Sequence, residues 1–205
     1  MRLAAVVVLV LCAPGCLGLG GGEPIEVREW DLLPEGPVAW TPGEGAPQLQ
    51  LLPFTVSEVL DRHTLVWRRD EVQVGAYANQ RWARPPQEAA REVLAAALRA
   101  ALGEGLAVAT TPPVTDPDYL LAAHLARCEE VDRGDRWFGV VEVRVVLARP
   151  DGVELLRRTY QAEAPAYERN PLGVVLALRR ALSDVARALA QDAAAALALT
   201  TSEAK

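Results

Sequence analysis

The sequence contains few of the residues on which catalysis, metal binding and nucleic-acid recognition most often depend. Its 205 residues include three cysteines, two histidines and a single lysine, Lys205, so arginine supplies nearly all of the positive charge. The formal net charge of −6 argues against nucleic acid, because phosphate backbones bind clustered cations. The two histidines, His63 and His124, match no metalloprotease motif, and no serine lies in a nucleophile-elbow pattern. These absences predict a protein that is not an enzyme and has no metal or cofactor site.

The N-terminus carries a more specific pattern. Arg2 precedes an apolar run over residues 3–11, which spans only about 14 Å as a helix and cannot cross a hydrocarbon core of about 30 Å. Small residues then lead to a cysteine in Ala13-Pro14-Gly15-Cys16, an order typical of a secretory signal. The segment resembles the lipobox of bacterial lipoproteins, which implies cleavage after Gly15 and a covalent lipid such as palmitate on Cys16. Ordinary cleavage that leaves Cys16 as a free thiol is the alternative.

These signals divide the chain into four parts. We expect a signal peptide over residues 1–15, a Gly-rich tether over 16–23, one folded domain over 24–199 and a frayed tail over 200–205. A domain of this length buries enough surface to form a core without metal or disulfide bonds. Cys128 is then alone in the domain, so we expect it to be a buried thiol.

The apolar periodicity predicts an α+β fold. Alternation with a period of two indicates strands, and apolar residues at steps of three and four indicate two long helices. In the strand predicted over residues 137–148, apolar and charged side chains alternate. One face of the sheet should therefore be solvated, as is typical of antiparallel sheets. We expect a two-layer sandwich in which a mainly antiparallel sheet of about six to seven strands packs against both helices. The predicted helices cover residues 86–102 and 171–199, and the clearest strands cover 64–68, 72–77, 119–131, 137–148 and 153–162.

An acidic tract follows the predicted strand 119–131. It runs Glu129-Glu130-Val131-Asp132-Arg133-Gly134-Asp135 and has the composition, but not the spacing, of a calcium-binding loop. We interpret it as a solvated turn between two strands.

The stretch between residues 65 and 98 carries a family resemblance. It contains Leu65-Val66-Trp67-Arg68, a strand ending Ala76-Tyr77, then Arg81-Trp82-Ala83-Arg84-Pro85-Pro86, and the apolar part of a helix over 93–98. This arrangement resembles the ABC-type transport auxiliary lipoproteins, and the later strands and closing helix match in order and length. The resemblance covers most of residues 24–199.

The resemblance implies a periplasm-facing lipoprotein that assists an ABC system carrying MCE-domain proteins. Such systems move phospholipid or related hydrophobic molecules between the two membranes. The protein would be a non-catalytic adaptor, with an MCE-domain protein and the ABC permease and ATPase as partners. The lipid on Cys16 would hold it in the outer membrane rather than the inner membrane, because Leu17 is not aspartate. Self-association of the chain stays open.

Within this resemblance, Tyr77 and Trp82 are candidates for partner contact, because aromatic side chains often anchor interfaces. Trp82 has an alternative role, which is to fill the core where strand meets helix. A scaffold or activator of another envelope machine, in cell-wall synthesis or secretion, is a competing function. A periplasmic hydrolase is a third, and it requires a cleft in which His63 or His124 lies near a carboxylate.

Overall fold

The structure, a computed structural model, describes residues 26–34 and 40–203, with side chains described as far as Leu199. The predicted signal peptide, the tether and Cys16 lie outside the described residues. The elements in chain order are β1 (Arg28–Trp30), β2 (Gln48–Leu51), β3 (Thr55–Val56), β4 (Thr64–Arg69), β5 (Gln73–Trp82), α1 (Pro86–Leu102), β6 (Ala107–Ala109), β7 (Tyr119–Arg133), β8 (Arg136–Ala148), β9 (Glu154–Pro165) and α2 (Pro171–Glu203).

The strands of the described chain form one nine-stranded sheet around β7. Three short strands, β2, β3 and β4, lie end to end along one edge of β7 and are parallel to it. The other edge of β7 pairs with β8, and β8 pairs with β9, both antiparallel. Beyond β4 come β5, which is antiparallel, and β1, which is parallel to β5, while β6 runs parallel to β2.

The prediction of a mainly antiparallel sheet of six to seven strands is therefore wrong. The sheet is mixed, and five of the eight pairings in the described chain are parallel. Alternation within a strand determines which side chains share a face, but it carries no information on the direction of the neighbouring strand. The α+β class and the two long helices are confirmed.

Both helices pack on the same face of the sheet, which we call the helix face. Val141, Val143 and Val145 of β8 point to this face and are at most 1% exposed. Gly139 shares it and allows the closest approach: a Cβ there would lie 2.4 Å from the backbone nitrogen of Leu178 in α2. Close contact between helix and strand therefore requires glycine at this position.

Both helices begin where the sequence predicts. Pro86 occupies the first turn of α1, where its missing N–H has no intrahelical partner. The Asn170 side chain caps α2, because its Oδ1 accepts a hydrogen bond of 2.8 Å from the Gly173 N–H. Neither helix of the described chain combines the length and the apolar character that crossing a bilayer requires.

The opposite face of the sheet, which we call the open face, carries no helix in the described chain. Its residues alternate with those of the helix face, and Arg144 of β8 projects from it into solvent. Thr55 of β3, Arg144 of β8 and Arg157 of β9 meet solvent on this side.

Candidate functional site

Tyr77 lies on β5 at the helix face and is half-buried. Its hydroxyl reaches across β4 and donates a 2.5 Å hydrogen bond to Glu130 Oε2 of β7. Burial and this bond to a carboxylate raise the pKa of Tyr77 above its ordinary value. Tyr77 therefore remains protonated and acts as a hydrogen-bond donor at neutral pH.

A polar and aromatic cluster surrounds this contact, consisting of Trp67, Tyr77, Glu130, Asp132 and Trp137, and we call it the Tyr77 cluster. Glu130 and Asp132 are only 3% and 7% exposed, and burial raises the pKa of Glu130. Asp132 Oδ1 and Trp137 Nε1 are buried without a hydrogen-bond partner in the described chain. The cluster thus has an unused acceptor and an unused donor.

Two arginines cover the edge of the Tyr77 cluster. The Arg69 guanidinium lies 5.5 Å from the Trp67 ring, and its Nε is 3.4 Å from Asp132 Oδ2. The Arg169 guanidinium lies 5.3 Å from the Trp137 ring. Cations over aromatic faces are held by the ring quadrupole, so both arginines keep positive charge next to the buried carboxylates.

Trp82, the other aromatic candidate, is 4% exposed at the end of β5. It belongs to the main hydrophobic core, and its backbone N–H donates to the His63 carbonyl at 2.8 Å. The ring is therefore buried in the core, and a role of Trp82 in partner contact stays a prediction. Tyr77 is the more accessible of the two candidates.

His124 lies on β7 between two hydroxyl groups. Thr55 Oγ1 is 2.9 Å from its Nδ1, and Ser57 Oγ is 3.2 Å from its Nε2. Ser57 Oγ also donates to the Ala126 carbonyl oxygen at 3.1 Å. The hydroxyls of Thr55 and Ser57 therefore hold the imidazole ring of His124 in place.

The prediction of a solvated turn over the acidic tract is correct only for Gly134 and Asp135, because β7 continues through the tract as far as Arg133. Glu129 is 1% exposed on the open face, where its Oε1 accepts from Arg68 Nε at 2.8 Å and from Arg127 Nε at 2.6 Å. Arg68 Nη2 adds a bond of 3.1 Å to Oε2. Glu129 is therefore a buried carboxylate paired with two arginines from different strands.

Two further observations bear on the predicted chemistry. Cys128 is a free and buried thiol, as predicted, and burial raises its pKa to about 12. Among residues 26–34 and 40–203, no three His, Cys, Asp or Glu side chains are grouped so that they could hold a metal ion.

A comparison with known protein families shows which family the chain belongs to. The family model for the ABC-type transport auxiliary lipoprotein component matches residues 31–190. The chain belongs to this family. Membership identifies it as an envelope lipoprotein associated with ABC transport, and the resemblance based on residues 65–98 is confirmed.

Two solved structures share the fold of this family member. Protein XCC0632 from Xanthomonas campestris is 20% identical, with a TM-score of 0.68 over 80% of this chain and 95% of that chain. A second, uncharacterized protein is 18% identical, with a TM-score of 0.67 over 82% of this chain and 98% of that chain. No curated protein matches the sequence.

The sequence alone predicts only some of the polar residues of the site. Tyr77 stood out because it lies beside the family motif, whereas its partner Glu130 lies 53 positions further along the chain. The pairing of β4 with β7 brings the two residues close, and that parallel pairing has no local signal.

Proposed function

We propose that this protein is a lipid-anchored, non-catalytic adaptor of an MCE-type ABC transport system that moves phospholipid or other hydrophobic molecules between the inner and outer membranes. The observation that carries the proposal is the family match over residues 31–190, which covers the folded domain.

The lipid anchor is the first part of the proposal. Cys16 precedes the first described residue by ten positions, and these include four glycines, so a flexible connection would let the domain stand off the membrane. The proposed location is the periplasmic side of the outer membrane. Intact-mass measurement of the purified full chain should give a lipidated Cys16 as the N-terminus, and Cys16→Ser should abolish the added mass. An unmodified Cys16, or cleavage elsewhere, would refute the anchor.

Partner contact is the second part. Tyr77 is the candidate on the sheet. A second, exposed apolar group lies where β9 leads into α2: Tyr167 of the connecting segment is 82% exposed, and Leu172 and Leu176 of α2 are 47% and 42% exposed. Arg180 stacks on Tyr167 at 4.7 Å. Tyrosine and arginine are over-represented among residues that dominate interface energetics, so we propose that a transporter subunit covers this group.

Affinity purification of the full-length protein from its native envelope tests this assignment. We expect the MCE-domain protein, the permease and the ATPase to co-purify, and Leu172→Ser with Leu176→Ser to reduce their recovery. Asp184→Ser, an exposed change further along α2, is the control. Recovery of cell-wall synthesis or secretion proteins in place of the transporter would favour the competing scaffold function.

A further inference from the structure

The open face contains a pocket of about 650 Å³ at the level of His124. Strand register aligns four polar side chains across it, because Thr55 of β3 is opposite His124, His124 is opposite Arg144 of β8, and Arg144 is opposite Thr159 of β9. Neighbouring strands are about 4.8 Å apart, so the row spans about 14 Å from Thr55 to Thr159. A single bound group can therefore contact adjacent members of the row, such as Arg144 and Thr159.

Arg157 of β9 adds a second guanidinium, two residues from Thr159, where it is opposite Val146. Arg144 and Arg157 are 63% and 66% exposed, so both are accessible from solvent. No carboxylate belongs to the described lining of this pocket, but Glu142 and Glu154 pair with the two arginines from beside it. The arginines therefore contribute hydrogen-bond donors to the pocket rather than a net positive charge.

Neighbouring carboxylates orient these two arginines without using all of their donors. Arg144 uses Nε and Nη2 on Glu142 Oε1, and Arg157 uses Nε and Nη2 on Glu154. A guanidinium has five N–H groups, so each arginine keeps three for a ligand. The planar donor geometry of arginine matches the oxygens of a phosphate group, which can accept from both side chains.

Apart from Arg158, which pairs with Asp192 of α2 at 2.7 Å, the rest of the pocket is apolar. Leu52 and Pro53 line it from the segment between β2 and β3, and Ala122 and Val146 line it from β7 and β8. A ligand that fits both parts carries a phosphate at one end and an uncharged, partly apolar portion at the other.

We propose that this pocket binds the phosphate group of a phosphate-bearing ligand, with Arg144 and Arg157 as the principal contacts and with Thr159 as a hydroxyl partner. A phospholipid headgroup and free phosphate share this chemistry. The proposal stands on the pocket alone and goes beyond the adaptor function, so either can fail without the other.

Isothermal titration of the purified full-length protein tests the proposal in two arms. One arm uses dihexanoyl phosphatidic acid below its micelle concentration, and the other uses inorganic phosphate. Tighter binding of the phosphatidic acid identifies a headgroup site, whereas equal binding identifies a site for phosphate itself, and both outcomes support the proposal. Absence of heat in both arms overturns it.

Matched variants keep the test specific to the pocket. We expect Arg144→Gln and Arg157→Gln each to weaken binding about tenfold, the loss typical for a hydrogen-bonded charge. Arg187→Gln is the control, because Arg187 is equally exposed at 63% but pairs with Asp184 on α2. All three positions are exposed, so the thermal unfolding temperature should stay unchanged. Unaltered affinity in both pocket variants would also overturn the proposal.

Discussion

Replacing Glu129 with alanine removes a buried carboxylate that pairs with Arg68 and Arg127. Glu129 is 1% exposed and accepts three charge-assisted hydrogen bonds of 2.6–3.1 Å. The side chains of Arg68 and Arg127 are only 22% and 23% exposed, so they cannot regain full hydration when the carboxylate is gone. Breaking a buried ion pair from one side typically costs about 3–5 kcal/mol. For a domain of this size, that loss lowers Tm by about 6–20 °C.

Thermal and urea unfolding of the purified protein measure this effect. Asp184→Ala is the matched control, because it removes a carboxylate from an ion pair in which Asp184 and Arg187 are 52% and 63% exposed. Exposed pairs contribute about 0–1 kcal/mol, so this variant should unfold close to the unmodified protein. A free energy of unfolding for Glu129→Ala within about 1 kcal/mol of the control would refute our account of the buried pair.

Three further predictions concern the core and the Tyr77 cluster. Trp82→Ala should lower the free energy of unfolding by about 3–5 kcal/mol. Transporter proteins should still co-purify with this variant below its Tm. Normal stability together with lost co-purification would contradict a core role for Trp82. Because burial raises the pKa of Glu130 above 4.5, the folded state binds its proton more tightly than the unfolded state. Stability should therefore fall as pH rises from about 4.5 through that raised pKa, and Glu130→Gln should lack this slope in urea titrations at several pH values. Gly139→Ala forces a Cβ against Leu178 and should cost about 1–3 kcal/mol in urea unfolding. In Gly105→Ala the added Cβ meets nothing within 4 Å, so the free energy of unfolding should change little. Equal effects of Gly139→Ala and Gly105→Ala would exclude a steric cause.

The local pattern of the chain was sufficient to predict the helices and the long strands. The bounds of α1, Pro86–Leu102, agree with the apolar stripe and its flanking proline and glycine. The facing of β8 is also as predicted, since Val141 and Val143 are buried and Arg144 is exposed. These features depend on residues a few positions apart, which is the range over which periodicity is informative.

Features that depend on distant partners were not predictable in this way. An acidic tract looks solvated unless its partners are known, and those of Glu129 and Glu130 include Arg68 and Tyr77 from the first half of the chain. The pocket beside His124 has the same origin, because its four aligned side chains come from four strands. Parallel pairing between such distant segments creates both features, and no short-range signal reports it.

The end-to-end placement of β2, β3 and β4 along β7 has a consequence for how the chain acquires its structure. Each of these strands pairs with β7 residues more than sixty positions later, whereas β7, β8 and β9 are joined by short turns. Contacts that close long loops form slowly, and hairpins form early. During synthesis from the N-terminus, the edges of β2, β3 and β4 that pair with β7 therefore stay unpaired until the ribosome has synthesised β7. A truncation that removes β7 should leave β2, β3 and β4 without the strand along which they align, so no N-terminal fragment ending before residue 119 should fold alone.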